Sequence, residues 1–154
     1  MPDATLPTRP AAAARLVLAF DFGRRRIGVA CGDTLSRTAA PLGAVRVGRE
    51  SLPWEAITDL MKTWQPALAI VGLPYNVDGS ENELAAAARS FAAEIARRYA
   101  LEVDLVDERY SSLEAGARLR EARTSGLRRR RVAKADVDAA AAGVILERWF
   151  LTRT

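Results

Sequence analysis

The chain contains no histidine and only one cysteine, which excludes several kinds of active site. A Ser-His-Asp triad, a Cys-His pair and a zinc site with His or Cys ligands all need residues that the sequence does not supply. Carboxylates, hydroxyls, lysine, arginine and backbone amides remain for chemistry. Clustered carboxylates bind hard cations such as Mg²⁺ or Mn²⁺, which activate water and hold phosphates without a histidine base. An acid cluster would therefore indicate phosphoryl chemistry.

The chain also lacks a long apolar run. No segment approaches the ~20 apolar residues of a membrane span, and the first residues do not form a charged stretch followed by an apolar one. Cys31 lies in an apolar run and is predicted to be a small core residue, as expected in a reducing cytosol. We therefore expect a cytoplasmic protein with no membrane partner, consisting of a flexible tail over residues 1–14 and a single domain over 15–154.

Lysine is scarce, with 2 residues against 21 arginines, and the net charge of +4 is unevenly distributed. Residues 109–134 contain nine basic and two acidic residues, a local charge of +7, so the rest of the chain is net negative. Such a patch, with Arg128, Arg129, Arg130 and Arg131 contiguous, suits a phosphate backbone. A solvated loop in a chain with biased composition is the alternative. We favour nucleic acid, and we expect residues 124–134 to be mobile because they lack apolar periodicity.

Apolar periodicity predicts an α/β fold. The predicted strands cover residues 16–22, 27–31, 38–47, 67–73 and 101–107, and the first three are joined by hairpin connections. The predicted helices begin near Trp54, after a capping box at Ser80, after a second capping box at Ser111, and at Asp136. This order indicates a mixed five-stranded sheet, three antiparallel strands followed by parallel ones, flanked by helices.

Three acids stand where apolar runs end: Asp21, Glu108 and Asp138. Asp21 belongs to a predicted buried strand, where an unpaired carboxylate would cost several kcal/mol or lose its charge, and a bound cation would remove that cost. Alternation places Asp107 and Glu108 on opposite faces of their strand, so spacing alone leaves the choice between them open. The helix dipole by itself explains an acid in the first turn of a helix, as predicted for Asp138.

Glycines flank the first of these acids. Gly23 and Gly28 have the spacing of a phosphate-binding P-loop, but Val29 and Ala30 stand where Lys and Ser or Thr are required, so that motif is excluded. The two glycines then serve either a tight turn or a close approach of the backbone to something held by Asp21.

The loop after predicted strand 67–73 follows the carboxyl end of a parallel strand, where α/β sheets bind ligands. Asn76 and Ser80 are therefore candidate substrate contacts. Tyr110 and Tyr75 are candidate platforms for stacking bases, with packing at a strand end as the alternative.

Four segments together resemble the YqgF/RuvX family, a group of bacterial proteins assigned as nucleases of the Holliday-junction-resolvase-like, RNase H-like type. They are AFDFGRRRIGVA (19–30), VGLPYNVDGSE (71–81), VDERYSSLEA (106–115) and VDAAAAGVILE (137–147). The resemblance implies an RNase H-like fold and a metal-dependent nuclease that acts in maturation of the 5′ end of small-subunit (16S) ribosomal RNA. The family's acids correspond to Asp21, Glu108 and Asp138, which selects Glu108 and gives Asp138 a catalytic role. Val77, where the family commonly has Met, and the very basic run 24–26 are departures from the pattern.

The mechanism expected from this resemblance uses two Mg²⁺ or Mn²⁺ ions held by the three acids to hydrolyse a phosphodiester bond. The candidate substrate-binding residues are Gly23, Arg26, Asn76, Ser80, Arg109, Tyr110, Arg128, Arg129, Arg130 and Arg131. We expect RNA rather than a four-way DNA junction, since nothing in the sequence indicates the dimer that a junction requires; monomer and homodimer stay open.

Three alternative functions compete with this one: a Holliday-junction resolvase, a non-catalytic RNA-binding factor in transcription or ribosome assembly, and an ATPase of the actin and sugar-kinase superfamily. The ATPase is disfavoured because 154 residues leave no second lobe to close over a nucleotide. The RNA-binding factor is disfavoured because all three acids are retained.

Overall fold

The computed structural model describes residues 15–74, 80–108 and 134–152, which form a five-stranded sheet covered by helices on both faces. The strands are β1 (Leu16–Phe22), β2 (Arg26–Asp33), β3 (Ala39–Arg46), β4 (Leu68–Leu73) and β5 (Glu102–Asp107). The helices are α1 (Trp54–Trp64), α2 (Glu83–Tyr99) and α3 (Lys134–Thr152). The strand order is β3-β2-β1-β4-β5, with β1, β2 and β3 antiparallel in sequence and β4 and β5 parallel to β1. The predicted mixed sheet is confirmed.

The central strand β1 has two buried faces because its side chains alternate between them. Leu18, Phe20 and Phe22 point to α1 and α2, and we call this side the α1/α2 face. Val17 and Ala19 point to α3, where they pack with residues such as Ile145 and Trp149, and we call this side the α3 face. A strand buried on both sides needs a nearly continuous apolar run, which explains the composition of residues 16–22. Cys31 is buried on the α1/α2 face, as predicted.

Two helices begin at residues other than those predicted. The N-cap of α2 is Asn82 rather than Ser80: its side chain accepts a hydrogen bond from the Ala85 amide at 2.8 Å and donates one to the Pro74 carbonyl at 2.9 Å. Asn caps helices as well as Ser does, and here it also ties the helix to the end of β4. Helix α3 begins at Lys134, so Asp136 lies in the first turn of the helix instead of capping it. The helix dipole favours an acid in the first turn.

Several predictions fall outside the described residues, namely the tail 1–14, the helix following Ser111 and the mobile stretch 124–134. Within the part of the chain that is described, no helix combines the length and apolarity needed to cross a membrane.

Candidate active site

Asp21 lies at the carboxyl end of β1, on the α3 face. It follows Val17 and Ala19 at two-residue spacing and is paired with Gly28 of β2. The parallel pairing of β1 with β4 places the carboxyl ends of both strands at the same edge of the sheet. The strand forms because its residues are apolar, and Asp21 is the last residue of β1 on the α3 face, where the strand reaches the edge of the sheet.

Glu108 follows β5 and reaches the same edge. Its amide donates a hydrogen bond to the Leu73 carbonyl at 3.1 Å, which extends the β4–β5 pairing by one residue. The side chain is 9% exposed. A Cβ atom at Gly72 would lie 2.4 Å from Glu108 Oε2 and 2.5 Å from Ile145 Cδ1, so only glycine leaves room for this carboxylate. The structure thus places Glu108 beside Asp21 on the α3 face.

Asp138, in α3, is brought to this edge by a backbone contact. A Cβ atom at Gly28 would lie 2.0 Å from the Asp138 carbonyl oxygen, so the helix packs against β2 only because position 28 has no side chain. The Asp138 carboxylate accepts a hydrogen bond from Arg26 Nε at 2.6 Å. Both side chains are about one-quarter exposed, at 26% for Asp138 and 28% for Arg26.

Burial and mutual repulsion raise the pKa values of the two inner acids. Burial raises the pKa of Asp21 from 3.8 to about 6; a hydrogen bond with Glu108 opposes the shift and the charge of Asp138 adds to it. Burial also raises the pKa of Glu108 to about 10, reinforced by the charge of Asp21 and partly offset by Arg148. Two carboxylates that share a desolvated site cannot both ionise easily, so the pair retains a proton near neutral pH.

One oxygen of this pair has no partner. Glu108 Oε2 is buried and accepts no hydrogen bond from any residue that the structure describes. Across the described ranges, no group of three or more His, Cys, Asp or Glu side chains is arranged to hold a metal ion. Asp21 and Glu108 meet directly, while Asp138 is close enough to raise the pKa of Asp21 but is ion-paired with Arg26.

Of the remaining candidate substrate contacts, some lie within the described residues and others lie outside them. Gly23 serves a tight turn, since a Cβ atom there would lie 2.6 Å from the Arg26 carbonyl oxygen. Ser80 is exposed just before α2, beyond the carboxyl end of β4. The residues outside the described ranges are Asn76, Arg109, Tyr110, Arg128, Arg129, Arg130 and Arg131. Substrate binding by these residues stays a prediction.

Gly72 was not among the residues predicted for the site. The available signal was a glycine inside an apolar strand, which often marks a close approach of another group. For Gly28 the sequence predicts a tight turn or an approach to something held by Asp21, and the structure shows instead a close approach to the Asp138 backbone.

The family profile of RuvX, described as Holliday junction resolvase, matches residues 15–152. The chain belongs to the RuvX family. A Yersinia pestis (strain Pestoides F) protein named "Putative pre-16S rRNA nuclease" is 44% identical over 136 residues, covering 88% of this chain and 94% of the relative. An Edwardsiella ictaluri (strain 93-146) protein of the same name is 43% identical over 136 residues, with the same coverage of 88% and 94%.

Solved structures of resolvases share the fold of this RuvX-family chain. Thermus thermophilus RuvC in complex with a Holliday junction substrate superimposes with a TM-score of 0.55 at 18% identity, covering 90% of this chain and 95% of RuvC. The yeast mitochondrial Holliday junction resolvase Ydc2 gives a TM-score of 0.52 at 10% identity, covering 87% and 77%. These likenesses establish the RNase H-like fold. The family and its curated relatives support a nuclease, an enzyme that hydrolyses phosphodiester bonds.

Proposed function

We propose that this protein is a divalent-metal-dependent nuclease that processes the 5′ end of precursor 16S ribosomal RNA in the cytoplasm. The observation that carries the proposal is the Asp21–Glu108 pair at the carboxyl edge of the sheet, with Glu108 buried and Asp138 of α3 beside the pair. The name of the curated relatives supports the RNA substrate.

The residues at this edge fit a hard divalent cation. Glu108 Oε2 is buried without a hydrogen-bond donor among the described residues, and a cation would provide the missing partner. Asp21, Glu108 and Asp138 offer only oxygen ligands, the kind that Mg²⁺ and Mn²⁺ prefer. The raised pKa values of Asp21 and Glu108 fit the same reading, since a cation between the two carboxylates would favour their charged forms.

One or two Mg²⁺ or Mn²⁺ ions bound there would activate the attacking water and stabilise the leaving oxygen. Asp21 and Glu108 hold the inner part of the site, where burial keeps the dielectric low and strengthens charge interactions. Asp138 contributes a third carboxylate from the outer side. Arg26 orients that carboxylate through its Nε–Oδ2 bond and leaves its other guanidinium nitrogens available to a phosphate oxygen.

The first experiment is a cleavage assay on labelled precursor 16S RNA with Mg²⁺, with Mn²⁺ and with EDTA. We expect 5′-end cleavage with either metal and none with EDTA, because the metal ion would supply both the activated water and the stabilisation of the leaving oxygen. Robust cleavage in EDTA would contradict the metal-dependent mechanism. RNA binding without cleavage under any metal condition would favour the non-catalytic RNA-binding factor.

The second experiment separates RNA processing from junction resolution. Cleavage rates of single-stranded RNA, the equivalent single-stranded DNA and a synthetic four-way junction are compared at equal concentration and salt. We expect RNA to be cut fastest. Paired symmetric nicks in the junction, made faster than RNA cleavage, would instead identify a dimeric resolvase.

A further inference from the structure

Three arginines stand apart from the other arginines that the structure describes. Arg25, Arg46 and Arg49 have no side-chain hydrogen bond or ion pair to any described residue. Every other described arginine has a carboxylate or backbone carbonyl partner: Arg15, Arg24, Arg26, Arg37, Arg89, Arg97, Arg98 and Arg148. All three unpartnered side chains are exposed, so water solvates them, and what distinguishes them is their position.

Arg46 lies opposite Arg26 in the pairing of β2 with β3. The next pair, Ile27 and Val45, packs on the α1/α2 face, so Arg26 and Arg46 both belong to the α3 face. Like charges directly opposite each other destabilise a sheet. Arg26 is neutralised by Asp138, and Arg46 is not. The fold therefore keeps an uncompensated positive charge about 10 Å from β1, two strand spacings away.

Arg25 and Arg49 extend this charge around the edge of the sheet. The Val47 amide donates a hydrogen bond to the Arg25 carbonyl at 2.8 Å, which ties the β1–β2 turn to the end of β3. Beside them lies a groove of about 330 Å³ whose lining includes Phe22, Gly23 and Arg49. Of the acids nearby, Glu83 is paired with Arg24 at 3.7 Å, and Glu50 lines the same groove. We call Arg25, Arg46 and Arg49 the arginine rim.

We propose that the arginine rim binds the phosphodiester backbone of the single-stranded RNA substrate next to the bond that is cut. The inference rests on the proposed function, since it assumes that RNA reaches Asp21 and Glu108. Guanidinium groups match phosphate oxygens with paired N–H donors, and unpartnered arginines keep all of theirs available. The rim lies on the β3 side of the acids, so the RNA strand crosses the carboxyl end of β1 and the amino end of β2 as it leaves the site.

The test compares two double variants that each remove two positive charges. Arg46→Ala with Arg49→Ala changes the rim. Lys62→Ala with Arg97→Ala is the control, because these residues lie in the last turns of α1 and α2, at the opposite end of the sheet. Binding of fluorescent single-stranded RNA is measured in EDTA, where no cleavage is expected, over a salt series. Each phosphate contact to a single strand contributes ~0.7 to the slope of log K against log salt.

We expect the slope of log K against log salt to become shallower by ~1.4 in the rim variant. If the rim variant and the wild type bind equally at 1 M salt, the variant then binds ~25-fold more weakly than the wild type at 0.1 M salt. The control should retain the wild-type slope. Arg46→Lys with Arg49→Lys should retain most of it as well, because the charge remains. The melting temperature of Arg46→Ala without RNA should be unchanged or higher, since the repulsion with Arg26 is removed.

Equal slopes in the rim variant and the control would overturn the proposal while leaving the nuclease function intact, provided that the wild type binds and cuts RNA. A wild type that neither binds nor cuts RNA would overturn both. Arg49→Ala alone, on the exposed segment after β3, should show about half of the slope change of the double variant. An unchanged slope in this single variant would contradict the proposal even if the double variant failed to fold.

Discussion

On the α1/α2 face, β1 presents Leu18, Phe20 and Phe22, and all three pack into an apolar cluster with both helices. On the α3 face, the same strand presents Val17, Ala19 and then Asp21. The α1/α2 face remains apolar up to the end of β1, whereas the α3 face changes at Asp21 from apolar side chains to closely spaced carboxyl groups. Stability and chemistry are thus divided between the two faces, and substitutions on each should have different consequences.

The largest effect should come from the acids of the α3 face. Asp21→Asn and Glu108→Gln should each reduce cleavage to the level seen in EDTA, because each removes a carboxylate that would hold the metal. The melting temperature of the metal-free protein should stay the same or rise, since the amide relieves repulsion within the pair. Cleavage of labelled RNA and thermal unfolding measure the two effects.

Asp107→Asn is the matched control for Glu108→Gln, because Asp107 is the neighbouring acid whose side chain alternates to the other face of β5. It should retain cleavage. If Asp21→Asn and Glu108→Gln both lowered the melting temperature strongly, the acids would be structural and the division between the faces would be lost.

The α1/α2 face should respond through stability. Phe91→Ala should lower the free energy of unfolding by ~3–5 kcal/mol, as large-to-small aromatic substitutions in cores do. The Phe91 ring lies 5.0 Å from Phe22, 5.7 Å from Phe20 and 5.6 Å from Trp54, measured between ring centroids, so its loss leaves a cavity that three rings cannot fill. Urea unfolding measures the change.

Leu105→Ala provides the comparison for Phe91→Ala, because Leu105 is 40% exposed on the edge strand β5. Its effect should be below ~1 kcal/mol, since little apolar area leaves a buried environment. Similar losses for the two substitutions would contradict the packing described for the α1/α2 face.

A smaller effect on stability is expected where α3 meets the sheet. Gly28→Ala should destabilise the fold by ~1–3 kcal/mol, because its Cβ would overlap the Asp138 backbone and push the helix outward. Cleavage should fall further than stability alone explains, since Asp138 moves with the helix. Unfolding and cleavage are compared at a temperature where the variant is fully folded.

Gly143→Ala makes the same chemical change inside α3, where, among the described residues outside the helix's own backbone, the added Cβ would lie within 4 Å of only Pro41 Cγ, at 3.8 Å. It should be neutral or stabilising by up to ~1 kcal/mol because alanine favours helix. Full activity in Gly28→Ala would show that the position of Asp138 against β2 is unimportant.

The smallest expected effect is the dependence of stability on pH. The folded-state pKa values of Asp21 and Glu108 are raised above their ordinary values of 3.8 and 4.5, to about 6 and about 10. The folded protein therefore binds more protons than the unfolded chain above pH ~4, and its stability falls as the pH rises through this window. The melting temperature of the metal-free protein should decline from pH 5 to pH 9.

Glu108→Gln should flatten this decline, and saturating Mg²⁺ should reduce it, because a bound cation favours the charged carboxylates. Thermal unfolding in EDTA and in Mg²⁺ across the pH range provides the measurement. A melting temperature that rises with pH in EDTA would show that the two acids are not protonated in the folded state.

Much of the architecture followed from local pattern. The run Leu16–Phe22 matches the predicted β1, because a strand buried on both faces requires uninterrupted apolar residues. The start of α2 was misplaced by two residues, because Ser80 and Asn82 are both good caps and local sequence does not distinguish them. The positions of Asp21 and Glu108 at the ends of apolar runs also followed from the sequence, since a buried strand ends where it reaches the edge of the sheet, whereas Asp138 lies near the start of α3.

The sequence by itself determined the elements and their faces, because residues a few positions apart set the periodicity of burial. Only the tertiary structure decided that Gly72 makes room for Glu108, that Gly28 admits the backbone of Asp138, and that Asp138 is held by Arg26, 112 residues away in the chain. Such contacts depend on the register of strands and the packing of α3. No local pattern encodes them, because the partners become neighbours only after the sheet has formed.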